Sequence, residues 1–220
     1  MEQNVQGNQI TFISSFTLEE DSYRTIAAPA ETVLRERGSR FLAYAYPVEE
    51  EDEIKRLLDA LRKRHYDATH HCYAWRIGPK GALFRANDDG EPSGTAGKPI
   101  LGQMLSKEVT DLLVVVVRYF GGTKLGVPGL IAAYRESAVA VLEAAQIEQR
   151  TVDARLEVHF SYLAMNDIMK TIKEIQPKVI AQKFDNVCTI RLAIRQSREE
   201  ELLARLEKCE DASIEHLGYK

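Results

Sequence analysis

The chain has 220 residues, 45% hydrophobic and 28% charged, with a net charge of -4 from 29 basic and 33 acidic side chains. The charge is spread evenly, 18 basic and 21 acidic residues up to position 150 and 11 and 12 after it, which excludes a generally basic nucleic-acid binder and leaves only a local patch for any polyanion. Three widely spaced cysteines, Cys72, Cys188 and Cys209, argue against a disulfide framework or a thiolate zinc site, and the polar start MEQNVQGNQ and the short longest apolar run, Leu112–Val117, argue against a secretory core or a bilayer span. The expectation is a soluble cytoplasmic protein with no membrane contact, metal or cofactor.

In chain order, Tyr23–Ala27 reads as a first strand, and Arg40–Tyr46, alternating and rich in aromatics, as a second. EEEDEIKRLLDALRKRH places Ile54, Leu57, Leu58 and Leu61 on one helical face, with Glu49 to Glu53 in the first turns and Arg62 to Arg64 in the last, a polarity that suits the helix dipole. His70–Ile77 is a strand, Asn87 to Gly97 a turn-rich loop, and Pro99–Leu105 a short helix. Leu112–Val117 is apolar without alternation, the pattern of a central strand buried on both faces. Leu130 to Ala145 is a helix, with Pro128 in its first turn.

From Ala154 the pattern changes. Strand Arg155–Phe160, a helix carrying Met165, Ile168, Met169 and Ile172, strand Val179–Phe184, a turn at Asp185-Asn186, strand Val187–Arg195, a helix carrying Leu202, Leu203 and Leu206, and strand Ser213–Leu217 give βαββαβ, the ferredoxin-like order. The fold class is α+β. The boundary falls near residue 150, in the polar stretch EQRTVD, giving domains 1–150 and 151–220.

Two glycine-rich loops carry the candidate chemistry. GGTKLGVPG follows the apolar strand. It fits neither the P-loop, which needs Lys and Ser/Thr after Gly126, nor the Gly-x-Gly-x-x-Gly fingerprint. The underlying physics still applies: glycines expose backbone N–H groups, a helix start adds partial positive charge, and Lys124 and Arg118 supply full charges. Gly121, Gly122, Thr123, Lys124 and Gly126, with Arg118, Tyr119 and Phe120, form a candidate anion or RNA site; a tight strand-to-helix turn is the plain alternative. NDDGEPSGTAGKP also ends at a helix start, and Ser93, Gly94, Thr95 and Lys98 join the candidate surface, with Arg40 from its own strand. Asp88, Asp89 and Glu91 in the same loop are candidates for a hard metal ion or a general base, or for turn-making and ion pairing. In DATHHC, His70 and His71 are neighbours on a strand and point to opposite faces, so joint chelation is difficult; His71 is kept as a catalytic candidate.

SRFLAYAYPV, THHCYAWRIG, NDDGEPSGTAGKPIL and VVVVRYFGGTKLGVPGLIAAY, in this order, closely resemble the YigZ/IMPACT family over roughly residues 20–140. Pro128 stands where the family commonly has glycine, and it removes one N–H from the loop. The resemblance implies a first domain like the second domain of a small-subunit ribosomal protein. It implies a second domain like the C-terminal domain of translation elongation factor G. Eukaryotic IMPACT proteins are similar in the first domain only. They regulate translation by competing for the ribosome-associated activator of an amino-acid-starvation kinase. The function implied here is a translation-associated regulator that binds RNA, the ribosome or a translation factor through the basic glycine loop. The alternative is a hydrolase-like enzyme that holds a small phosphorylated substrate between the two loops, with Asp89, Glu91 or His71 as acid or base.

Overall fold

The computed structural model describes residues 21–185 and 187–219. The polar N-terminal stretch and Asn186 of the expected turn lie outside the described residues. The elements are β1 (Ser22–Ile26), β2 (Ala30–Glu36), β3 (Ser39–Pro47), α1 (Glu51–Arg64), β4 (His70–Ile77), β5 (Leu83–Asn87), α2 (Gly97–Ser106), β6 (Leu112–Tyr119), α3 (Gly126–Ala144) and β7 (Ile147–Thr151). They continue with β8 (Asp153–Phe160), α4 (Met165–Ile175), β9 (Lys178–Lys183), β10 (Cys188–Arg195), α5 (Glu199–Leu206) and β11 (Ala212–Tyr219). The chain is thus of mixed helix and strand. Among the described residues, no helix is long and apolar enough to cross a membrane.

A five-stranded antiparallel sheet, in the order β2-β3-β6-β4-β5, organises residues 30–144. β6 is its centre, and Leu112 to Val117 are fully buried, as a non-alternating apolar run requires. Leu112, Val114 and Val116 pack under α2 and α3 with Phe41, Ala43 and Cys72. Leu113, Val115 and Val117 pack under α1 with Tyr44, Tyr73 and Trp75. α1 sits where its periodicity puts it, burying Ile54, Leu58 and Leu61, with acids in its first turn and bases in its last.

Three strands escape the sequence pattern. β2 is an edge strand that is half exposed along its length. It is joined to β3 by Arg37 and Gly38, both at positive φ, so Glu36 pairs with Ser39 across a two-residue turn. β5 is the opposite edge and leaves Leu83 and Phe84 exposed. β7 occupies most of the polar stretch read as the boundary and pairs antiparallel with β1. The pairing supplies an order that the composition of EQRT does not suggest.

After Val152 a four-stranded antiparallel sheet, in the order β11-β8-β10-β9, carries α4 and α5 in βαββαβ sequence. Its core is built entirely from residues 154–214. α4 ends at Gln176 in the left-handed conformation, followed by Pro177, which cannot continue a helix. The two parts meet at Asp21. Its carboxylate takes Nε and Nη2 of Arg195 at 2.7 Å each, and its carbonyl accepts from Val152 N–H at 2.7 Å. This fork holds the Asp21 carboxyl down at about 2.

Candidate functional site

One end of the central sheet gathers both glycine loops. β6 runs out at Tyr119, opposite Arg40 of β3. His70, the first residue of β4, lies opposite Arg118. The 88–96 loop leads from β5 into α2, and the 120–125 loop leads from β6 into α3. Neighbouring strand residues face opposite ways, and this divides the expected cluster. The Arg118 guanidinium carbon lies 5.4 Å from the Phe41 ring on the α2/α3 face. Tyr119 turns to the α1 face, where its hydroxyl meets His65 Nδ1 at 3.0 Å and the Arg40 guanidinium carbon lies 4.8 Å from its ring. Arg40 and Tyr119 therefore do not share a surface with Arg118.

The 88–97 loop is closed upon itself. Asp88 accepts three backbone N–H groups, from Gly94 at 2.8 Å, Ala96 at 3.0 Å and Gly97 at 2.8 Å. Burial alone would raise its pKa, but the three donors together hold it below the usual carboxylate range. Asp88 thus occupies the N-terminus of α2 as a built-in anion. Gly97 has no room for a side chain: a Cβ there would lie 2.5 Å from Asn87 N. Thr95 is buried and donates to the Pro92 carbonyl at 2.6 Å, whereas Ser93 and Lys98 are exposed. Asp89 fastens the loop to β4, accepting His71 N–H on its carboxylate at 2.6 Å and meeting His70 Nδ1 with its carbonyl at 2.8 Å.

Glu91, 8% exposed, ties the 88–97 loop to β6 and α3, the two elements that flank the 120–126 loop. Its Oε1 takes Arg118 Nη1 at 2.6 Å and the Tyr134 hydroxyl at 2.8 Å, while His70 Nε2 lies 3.8 Å away. Arg118 is itself only 5% exposed and reaches Ser39 Oγ at 3.4 Å. Its charge is neutralised inside the protein and does not face solvent. Cys72 lies beneath, its sulfur 3.0 Å from the Asp88 carbonyl oxygen and 3.3 Å from the Tyr134 hydroxyl. Burial pushes both the Cys72 thiol and the Tyr134 phenol well above their ordinary ranges, which removes thiolate chemistry at neutral pH. His71 is also buried, and desolvation lowers its pKa.

The 120–126 loop is the open one. Phe120 and Gly121 to Lys124 are exposed, as are Gly126, Val127 and Pro128. α3 begins at Gly126, earlier than its apolar pattern suggests, and its N-cap residue, Leu125, makes no side-chain cap. The glycines have separate reasons. Gly122 and Gly126 sit at positive φ, 83° and 72°. Gly121 is pressed against the β2–β3 turn, where a Cβ would lie 1.9 Å from the Gly38 carbonyl carbon. Its N–H donates to Ser39 Oγ at 3.2 Å, and Phe120 N–H donates to Thr69 Oγ1 at 3.3 Å.

Sequence reasoning did not single out Ser39, Thr69 or Tyr134. They join the site from 43 to 82 residues away along the chain, and no local spacing announces them. Elsewhere, Glu157, His159 and Glu215 bring ligand atoms within 4.8 Å of one another, with Glu157 ion-paired to Arg191.

Residues 37–142 match the Impact N-terminal domain model. IMPACT family member YvyE of Bacillus subtilis is 36% identical over 70% of this chain and 71% of its own length. IMPACT family member YigZ of Escherichia coli is 30% identical over 90% and 98%. A solved structure described as that of a hypothetical protein superposes with a TM-score of 0.70 at 30% identity, covering 91% of this chain and 98% of its own. With the likeness running through both glycine loops and on into the βαββαβ part, the chain belongs to the IMPACT family.

Proposed function

We propose that this protein is a cytoplasmic, translation-associated regulator that binds RNA, the ribosome or a translation factor through the 120–126 loop. The observation that carries this reading is the open start of α3. Lys124, Thr123 and Gly122 are exposed just before the start of α3, whose N-cap residue, Leu125, makes no side-chain cap. Such a terminus attracts phosphate through oriented N–H groups and partial positive charge. Lys124 adds a full charge, and Phe120, 47% exposed, offers a ring for stacking on a base. Lys98, exposed in the first turn of α2, is a second candidate charge from the neighbouring loop. Arg118 serves as scaffold, with its guanidinium carbon 5.5 Å from the Phe120 ring.

The two-domain division at about residue 150 belongs to the same proposal. The sheet order β11-β8-β10-β9 in βαββαβ sequence supports a ferredoxin-like second domain, comparable with the C-terminal domain of elongation factor G. Likeness of the first domain to a ribosomal protein domain would suit a ribosomal partner. The enzyme reading needs Asp89, Glu91 or His71 to face a substrate. Glu91 and His71 are buried, and Asp89 is bonded to β4.

The test is co-sedimentation with ribosomes and total RNA at two salt concentrations, wild type beside Lys124→Ala. Binding should weaken in the variant and its log–log salt slope fall by about 1, the loss of one phosphate contact. Clean separation of the wild type from both at low salt would remove the reading.

A further inference from the structure

At the far end of the central sheet from the glycine loops, three cavities open beside the turn after β4, with volumes of 530, 310 and 310 Å³. The largest is a cleft where the β1–β7 ribbon passes the sheet. Tyr23 and Arg24 line it from β1, Arg76 and Lys80 from β4 and its turn, and Glu108 and Thr110 from the segment after α2. Three of these side chains are cations and one is an acid. Among the described residues, none of the four is in an ion pair.

Arg76 is the centre of the argument. Nη1 donates to the Val109 carbonyl at 2.8 Å and Nη2 reaches the Lys80 carbonyl at 3.5 Å, while Nε is buried with no partner. Both acceptors are neutral. Burial lowers the pKa of this guanidinium, and no carboxylate among the described residues offsets that cost. The turn, with Gly81 at φ 58°, lies directly against it. A Cβ at Gly81 would lie 2.3 Å from Arg76 Nη2, so the guanidinium lies against a backbone without a side chain. A cation held in place, partly desolvated and lacking a counter-charge is completed by an external anion.

We propose that this cleft binds a small dianion, a phosphate monoester or a dicarboxylate, with Arg76 as the central donor and Arg24 and Lys80 closing on it. The lining's net charge of about +2 matches a phosphate monoester or a dicarboxylate near pH 7. The volume of 530 Å³ suits a metabolite-sized ligand. Occupancy ties the β1–β7 ribbon to the sheet and raises thermal stability by mass action. Nothing in the 120–126 loop takes part.

The experiment is calorimetric titration of the full chain at low ionic strength with inorganic phosphate and, separately, with succinate. At least one should bind saturably, with a Kd of about 1 mM or tighter, as two or three charge-assisted hydrogen bonds give. The probe that binds identifies the anion class. Lys80→Ala and Arg24→Ala, both at exposed positions, should each weaken binding roughly tenfold. Arg76→Leu should abolish it, and the saturable site should persist in Lys124→Ala, which removes only the phosphate contact proposed at the other end of the sheet. No saturable binding of either probe by about 10 mM would overturn the proposal. So would an affinity untouched by both exposed substitutions, or one lost in Lys124→Ala, which would place the anion at the other end of the sheet.

Discussion

The two glycine-rich loops look alike in sequence and differ in what they leave available. Each leads from a strand into a helix, and each carries one lysine near the helix start. In the 88–97 loop, Asp88 takes the N–H groups of Gly94, Ala96 and Gly97, so the start of α2 already holds its anion. In the 120–126 loop the acid is missing: the stretch from Phe120 to Gly129 holds no carboxylate. Glycine content and a following helix therefore do not define an anion site. The deciding feature is whether the chain supplies a carboxylate of its own to the same amides.

The most severe way to break this comparison is to cut the tie that anchors the 88–97 loop to β6 and α3. Glu91→Ala leaves Arg118 buried without its counter-charge and the Tyr134 hydroxyl without its acceptor. A loss of about 3–5 kcal/mol is expected, the usual penalty for orphaning a buried charge. Urea unfolding followed by the fluorescence of buried Trp75 measures it. A loss below about 1 kcal/mol would show that the ion pair does not anchor the 88–97 loop to β6.

Asp88→Ala is milder and more informative. Three amides lose their acceptor, and a cost of about 1–2 kcal/mol is expected, as for the loss of a helix cap. The same substitution should convert the closed loop into an open one. Added sulfate should then stabilise Asp88→Ala by more than it stabilises the wild type, the difference being the newly opened start of α2. Equal sulfate effects on the two proteins would mean that an uncapped helix start here does not recruit anions, and the reading of the 120–126 loop would weaken with it.

Much of the scaffold was legible because periodicity records burial. β4 and α1 lie within a residue or two of their expected limits, and β6 is buried on both faces, as an unbroken run from Leu112 to Val117 demands. The strands that escaped, β2, β5 and β7, are edges or ribbon partners whose order comes from pairing more than from their own composition. The site was less legible. RYFGG was readable as a strand running into a turn. That Arg118 points inward to Glu91, 27 residues away, follows from strand alternation and a long-range contact that spacing cannot reveal. The need for Gly121 is similar: it lies against Gly38, on a turn 83 positions earlier in the chain.

The smallest effect separates the carboxylates by pH. Asp21 ionises at about 2 in the folded chain because Arg195 grips it, against an ordinary value of 3.8. A depressed carboxyl stabilises the fold fully above its unfolded value and loses that contribution as pH falls through the folded one. Asp88 shifts in the same direction, burial being outweighed by its three amide donors. Asp111 opposes both: burial raises its pKa, so acidification relieves it. Stability should therefore fall between about pH 4 and pH 2, with Asp111 reducing the slope. Asp21→Asn should flatten that slope while leaving α2 intact. Asp88→Asn should act instead on amide protection at Ala96 and Gly97, with little change at the start of α3, where no carboxylate caps the first turn. If acid exposes the amides of both helix starts together, the closed and open loops are one cooperative unit, and the distinction between them belongs to the static structure alone.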